Sequence, residues 1–263
     1  MPIALSVNLN KIALLRNSRS GNYPDPLAFG RIALAEGAQG LTLHPRPDQR
    51  HVRPRDVFEC RDLLTGYNAA SSHNPELNIE GNPFAQAQGD YPGLLALVEA
   101  TRPEQCTLVP DTHSQLTSDH GFNLTQDGER LKPILAQLKS WGVRVSLFMD
   151  PDIEQIRLAA QLGADRIELY TGPFAEAHLH QAANLPSLIE HYRTASAEAK
   201  TLGLGVNAGH DLNLANLTSL YCLPRLQEVS IGHALTVDAL QMGFAAAVRA
   251  YVVLCEGYSG KND

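Results

Sequence analysis

The sequence predicts an α/β protein folded as a closed (β/α)8 TIM barrel with extra helices, one domain over residues 1–263. Three observations carry that expectation. Short β-branched or apolar runs alternate with longer segments of helical periodicity, the pattern of parallel strands joined by crossover helices. The stretches EGAQGLTLH, LKSWGVRVSLF and AQLGADRIELY repeat one junction, in which a helix stops on glycine, turns, and feeds a strand. Eight such units in 263 residues suit a closed barrel better than an open doubly wound sheet.

The strands are expected at Ala4–Asn8, Gly40–His44, Leu77–Glu80, Gln105–Val109, Arg144–Met149, Arg166–Tyr170, Gly205–Ala208 and Glu228–Ile231. The first helix is expected to begin near Pro26, because proline needs no amide donor in the first helical turn and Asp25 ahead of it can cap. The others are expected to begin near Arg53, Tyr91, Glu129, Ile153, Ala175, Leu214 and Val237. Residues 65–76 and 110–128 read as long polar loops, either lids or solvated excursions. The segment 173–203 is long enough for a short helix before the main one. Phe148, Met149 and the stripe Phe244, Val248, Tyr251 and Val252 read as core. No linker or low-complexity segment interrupts the chain.

Composition narrows the function. Apolar residues make up 44% and charged residues 19%, ordinary globular usage, with 21 basic against 28 acidic side chains. That balance repels a polyanion, so nucleic acid is not an expected partner, and any anionic ligand must be held locally. Cys60, Cys106, Cys222 and Cys255 form no Cys-x-x-Cys pair and read as reduced thiols. MPIALSVNLNK has neither a basic leader nor a long apolar core, and Arg249 interrupts the longest apolar stretch near the C-terminus; a cytoplasmic location without membrane association is expected. No Gly-x-Gly-x-x-Gly follows the first strand and no Walker-type Gly-Lys-Ser/Thr is present.

In a barrel of this kind the reactive groups stand where strands end at the C-terminal face. Those exits carry Asn8, His44, Glu80, Asp111 nearby, Asp150, Glu168 with Thr171, Asn207 with His210, and His233. A lone His or Asp at a strand end is more often a cap; the convergence of the set points to a function. VNAGH (206–210) and SIGHAL (230–235) each place a glycine after one of the last two strands and shortly before a helix, a usual phosphate-binding position, although Gly209 and Gly232 can also be read as tight-turn glycines. LTLHPRPDQRHVRPRD (41–56) gathers cations behind the second strand, so Arg46 and His51, with Arg19, are expected to hold a second anionic group. His44, Glu80 and His210 can exchange protons near neutrality if Glu80 is partly desolvated, as a multistep carbonyl reaction requires. His178-x-His180 falls in a predicted helix or loop, where i and i+2 side chains diverge, so no metal site is expected there.

With those residues in hand, the chain resembles the pyridoxine 5′-phosphate synthase family. The motifs VNLNKIALLRNSR, YPDP, GLTLHPRPDQRHV, LNIEG, LVPD, VSLFMD, IELYTG, VNAGHDL and IGHAL follow the family's order almost end to end. The resemblance implies a barrel assembled as an octamer built from dimers. It also implies condensation of 3-amino-2-oxopropyl phosphate with 1-deoxy-D-xylulose 5-phosphate, without metal or other cofactor. By position, His44 and Glu80 match the family's proton acceptors, His210 its proton donor and Glu168 its transition-state stabiliser. Asn8, Arg19 and Asp211 match the amino ketone phosphate pocket; Arg46, His51 and Thr117 the pentulose phosphate contacts; Gly232 and His233 the remaining phosphate cradle. Asn10 and Lys11 stand where many members have Asp-His touching the pentulose phosphate. Asp211 replaces a common Gly, and Tyr170 a common His. Two other readings stand beside this one: a sugar-phosphate aldolase or isomerase using Lys11 or a metal, and a phosphate-ligand sensor without turnover.

Overall fold

In the computed structural model, which describes residues 2–112 and 115–258, eight parallel strands hydrogen-bond in sequence order and close on themselves. They are β1 Ala4–Asn8, β2 Gly40–Leu43, β3 Glu76–Gly81, β4 Gln105–Leu108, β5 Arg144–Met149, β6 Arg166–Tyr170, β7 Gly205–Gly209 and β8 Leu226–Ile231. The expected barrel is present. Closure comes from β8 lying beside β1, with Val7 opposite Ile231, and is reinforced by Ile3 N–H donating to the Cys255 carbonyl at 3.1 Å.

Among the described residues ten α-helices surround the strands: α1 Asn10–Asn17, α2 Pro26–Ala35, α3 Pro54–Ala70, α4 Leu94–Thr101, α5 Leu124–Ser140, α6 Ile153–Leu162, α7 Gly172–Leu179, α8 Leu185–Thr201, α9 His233–Met242 and α10 Phe244–Gly257. Asp25 caps α2 as expected, its carboxylate accepting from Leu27 N–H at 3.0 Å. Gly163 ends α6 in the left-handed region (φ 86°) that a side chain would disfavour. The short helix expected before the main one in 173–203 is α7.

Five expectations need correction. Helix α1 was not foreseen; its N-cap is Leu9, so no polar cap announces it. Residues 65–70 continue α3, and residues 124–128 open α5, which therefore starts ahead of Glu129, rather than lying in loops. The helix expected near Leu214 is a single 3-10 turn, Leu217–Leu220. One helix expected near Val237 is two, α9 and α10, broken at Gly243 (φ 85°), where the chain turns so that both can pack.

Strand periodicity divides the barrel cleanly. Outward residues such as Leu5, Leu41, Leu77, Val145, Ile167 and Val229 are fully buried under the helices, each contributing roughly 1.5–3 kcal/mol by burial. Val248, Tyr251 and Val252 of α10 join that core, while Phe244 is only half-buried and packs edge-on against Phe29 at 4.8 Å. Inward residues are largely polar. Ser6, Thr42, Asn78 and Thr107 chain together through side-chain hydrogen bonds of 2.6–3.3 Å. Below them Arg166 meets Asn207 and Glu228, and Gln105 bridges Glu228 and Arg144.

Candidate active site

A cavity of about 350 Å³ opens at the C-terminal ends of the strands. Of the sequence-predicted site residues, Asn8, Asn10, Lys11, His44, Arg46, His51, Glu80, Thr117, Glu168, His210, Asp211, Gly232 and His233 all line it. Arg19 does not; it lies exposed beyond the end of α1 and donates to the Ser18 carbonyl. Asp150 and Asn207, also expected on the rim, are spent elsewhere: Asp150 accepts from Gly121 N–H, and Asn207 faces the lower layer through Arg166 and Gln105. Phe148, read as core, is nearly buried yet forms part of the cavity wall.

Two carboxyls form the floor. Glu168, from the middle of β6, is buried with Oε2 unpartnered, and burial pushes its pKa well above the ordinary 4.5, with Glu80 and Glu228 adding to the push. Glu80, near the end of β3, is raised by burial too, but the His44 imidazole draws it back. Two such acids sharing one pocket cannot both ionise cheaply; burial and the neighbouring carboxylates favour the protonated form of Glu168, while His44 draws Glu80 back toward ionisation. Gly209 makes this possible by size, since a Cβ there would fall 2.2 Å from Glu168 Oε1. A Cβ on Gly232 would press within 3.1 Å of Asn8. Neither glycine has positive φ, so neither is a left-handed turn glycine.

His44 is held on three sides. Its backbone N–H donates to Asn10 Oδ1 at 2.9 Å, ring Nε2 lies 3.1 Å from Asp111 Oδ2, and ring Nδ1 lies 3.7 Å from Glu80 Oε2. Arg46 reaches the same Asp111 oxygen at 2.5 Å. Burial alone would raise the Asp111 pKa; His44 and Arg46 outweigh it, so Asp111 is a fixed carboxylate. Its importance was invisible in the sequence, which placed it only near a strand exit, because the β2 and β4 loops meet only in three dimensions.

The basic loop after β2 is braced from α1. Arg16, fully buried, forks onto Asp56 at 2.6 and 2.8 Å, and with Asn17 donates to the His51 carbonyl. Burial first, then the nearby His44, Arg46, Arg50 and Lys11, push the His51 pKa down to about 2. Its Nδ1 accepts from Val52 N–H at 2.9 Å, so the neutral ring carries its proton on Nε2 and is a donor there. Arg50 donates to the Gln115 carbonyl at 2.8 Å and so tethers the segment 115–123, from which Thr117 Oγ1 reaches His210 Nε2 at 2.9 Å. Helix α9 starts at the cavity without a side-chain cap, leaving its first amides to face an anion beside Lys11 and His233. The site can therefore grip anionic groups at two places and move protons between them. His178 and His180 stand at the end of α7, and among the described residues no three His, Cys, Asp or Glu side chains cluster to hold a metal ion.

Comparison with known proteins gives this geometry a context. A sequence profile of the pyridoxal phosphate biosynthesis protein PdxJ matches residues 5–257. Pyridoxine 5′-phosphate synthase of Xanthomonas campestris pv. campestris (strain B100) is 52% identical over 258 residues, covering 98% of each chain. The synthase of Xylella fastidiosa (strain M23) is 48% identical, covering 94% of this chain and 93% of its own. Among solved structures, a tryptophan synthase complex from Pyrococcus furiosus superposes with a TM-score of 0.59 at 13% identity, covering 98% of this chain and 100% of that one. That likeness speaks to the barrel alone. The match to the profile and to relatives about half identical along nearly their whole length shows that the chain belongs to the PdxJ family of pyridoxal phosphate biosynthesis proteins.

Proposed function

We propose that the cavity condenses 3-amino-2-oxopropyl phosphate with 1-deoxy-D-xylulose 5-phosphate, releasing pyridoxine 5′-phosphate, inorganic phosphate and water. The chain is a pyridoxine 5′-phosphate synthase of vitamin B6 biosynthesis. One observation carries the detailed chemistry: two buried carboxyls with raised pKa share a cavity with His44 and His210, beneath a rim of cations. Imine formation, dehydration, phosphate loss and ring closure each need a proton taken or given. Glu80 with His44 takes protons, and Asp111 fixes the His44 ring. His210 gives protons, and protonated Glu168 donates a hydrogen bond to the charge that develops below it. Arg46, neutral His51 and Thr117 hold the pentulose phosphate, with Asn10 and Lys11; Asn8, Gly232, His233 and the α9 amides hold the amino ketone phosphate.

The test is to mix the protein with both substrates and follow pyridoxine 5′-phosphate absorbance and phosphate release, omitting each substrate in turn. Product in the complete mixture alone supports the assignment. A borohydride-trapped adduct on Lys11 would instead mark an aldolase, and binding without turnover a sensor. Activity is expected to survive exhaustive chelation; loss restored by zinc would revive the metal reading. The octamer built from dimers belongs to the same proposal and is checked by sedimentation. Among the described residues, no helix is long and apolar enough to cross a membrane.

A further inference from the structure

We propose that Asp211 is a positioning residue that works through His210, holding the imidazole by its Nδ1 edge so that Nε2 serves the cavity, instead of binding substrate itself. The inference rests on His210 being a proton donor of the reaction above. His210 Nδ1, a buried nitrogen with no hydrogen-bond partner, lies 3.0 Å from Asp211 Oδ2, a close approach of the carboxylate to that edge of the ring. The opposite nitrogen, Nε2, is the one that meets Thr117 Oγ1 at the cavity. Tyr170 stands edge-on to the imidazole at 5.1 Å, which restricts its rotation.

The backbone is shaped for this contact. His210 and Asp211 both have left-handed φ, 88° and 57°, a conformation that side-chain-bearing residues adopt only when their surroundings enforce it. Thr171 Oγ1 donates to the carbonyls of Gly209 and His210 at 2.7 and 2.6 Å, and Asn216 Nδ2 to that of Asp211 at 3.1 Å. Aspartate is among the few residues that tolerate the left-handed region, so position 211 accepts a carboxylate where glycine would otherwise be expected. A carboxylate beside Nδ1 keeps a proton on that nitrogen. The lone pair of the neutral ring is then on Nε2, and the imidazolium formed on protonation gives up its proton from Nε2 toward the cavity. Lys11 and His233 also act on the carboxylate, which is half exposed, so the coupling is partly screened.

Two full-length variants test this. Asp211→Gly removes the carboxylate at a φ that glycine adopts without strain; Asp211→Asn keeps an acceptor without the charge. For Asp211→Gly we expect kcat to fall about tenfold, short of the hundredfold or more for loss of a direct proton donor, with KM for both substrates within about twofold. Asp211→Asn should fall between that variant and the native protein. Imidazole ¹⁵N spectra should show His210 protonated on Nδ1 in the native protein and shifted toward the Nε2 tautomer in Asp211→Gly. A raised KM for the amino ketone phosphate at unchanged kcat would make Asp211 a substrate ligand and overturn the proposal. An unchanged tautomer would overturn it as well. The spectra need no turnover, so a failed dyad and a failed reaction assignment are read separately.

Discussion

Buried carboxylates occupy both ends of this barrel and are treated in opposite ways. At the N-terminal end, Glu228 lies 2.9 Å from Arg166 and Glu76 takes the fork of Arg144, with Gln105 and Asn207 filling the remaining hydrogen-bonding positions. At the C-terminal end, among the described residues, no arginine or lysine pairs with Glu80 or Glu168, and the imidazole of His44 lies 3.7 Å from Glu80. Burial raises Glu228 as well, but Arg166 and Arg144 pull against it, whereas on Glu168 neighbouring carboxylates push the same way. The lower set is cross-braced; the upper set is left able to hold and release protons.

The contrast breaks most severely if the upper end loses the proton donor proposed at His210. His210→Ala should lower kcat about a thousandfold, some 4 kcal/mol of barrier, while equilibrium dialysis still finds bound phosphorylated substrate. At the lower end, Arg166→Met should cost about 3 kcal/mol in urea unfolding by stranding Glu228, with kcat of the folded protein unchanged. Restoring stability with Arg166→Met/Glu228→Met would sharpen the point. Arg46→Ala should raise the pentulose phosphate KM about tenfold in steady-state kinetics with a smaller change in kcat, because a charge-assisted contact is lost.

The smallest effect separates the two ends by pH. Glu168 holds its proton above the 4.5 at which an unfolded glutamate releases it, so its contribution to stability is complete below that value and is lost as pH rises toward the folded pKa. Glu168→Gln cannot titrate. Its melting temperature relative to the native protein should therefore climb as pH rises above 4.5, whereas a flat difference would mean that Glu168 is ionised in the folded state.

The strands were legible because their β-branched runs and glycine stops are local signals. Helix α1 was not, since Leu9 gives no capping signal and α1 is set by packing and by Arg16 reaching Asp56. The α9–α10 break escaped notice because Gly243 alone does not reveal a turn between two apolar helices. At the site, strand exits were enough to name most of the cavity-lining side chains, but Asp111 gains its place only when β2 and β4 become neighbours. The polar barrel interior is legible in the sequence as well. Glu76-x-Asn78-x-Glu80 and Arg166-x-Glu168-x-Tyr170 alternate with fully buried apolar residues at the strand period.

Asn8 resting against Gly232, and Ile3 tied to Cys255, join the first strand of the barrel to the region of its eighth. On the ribosome, a nascent polypeptide has His44 and Glu80 long before it has Gly232 and His233. The apolar flanks of β1 must wait for a partner made seven strands later, an interval in which a barrel of this order is open to aggregation or to capture by chaperones.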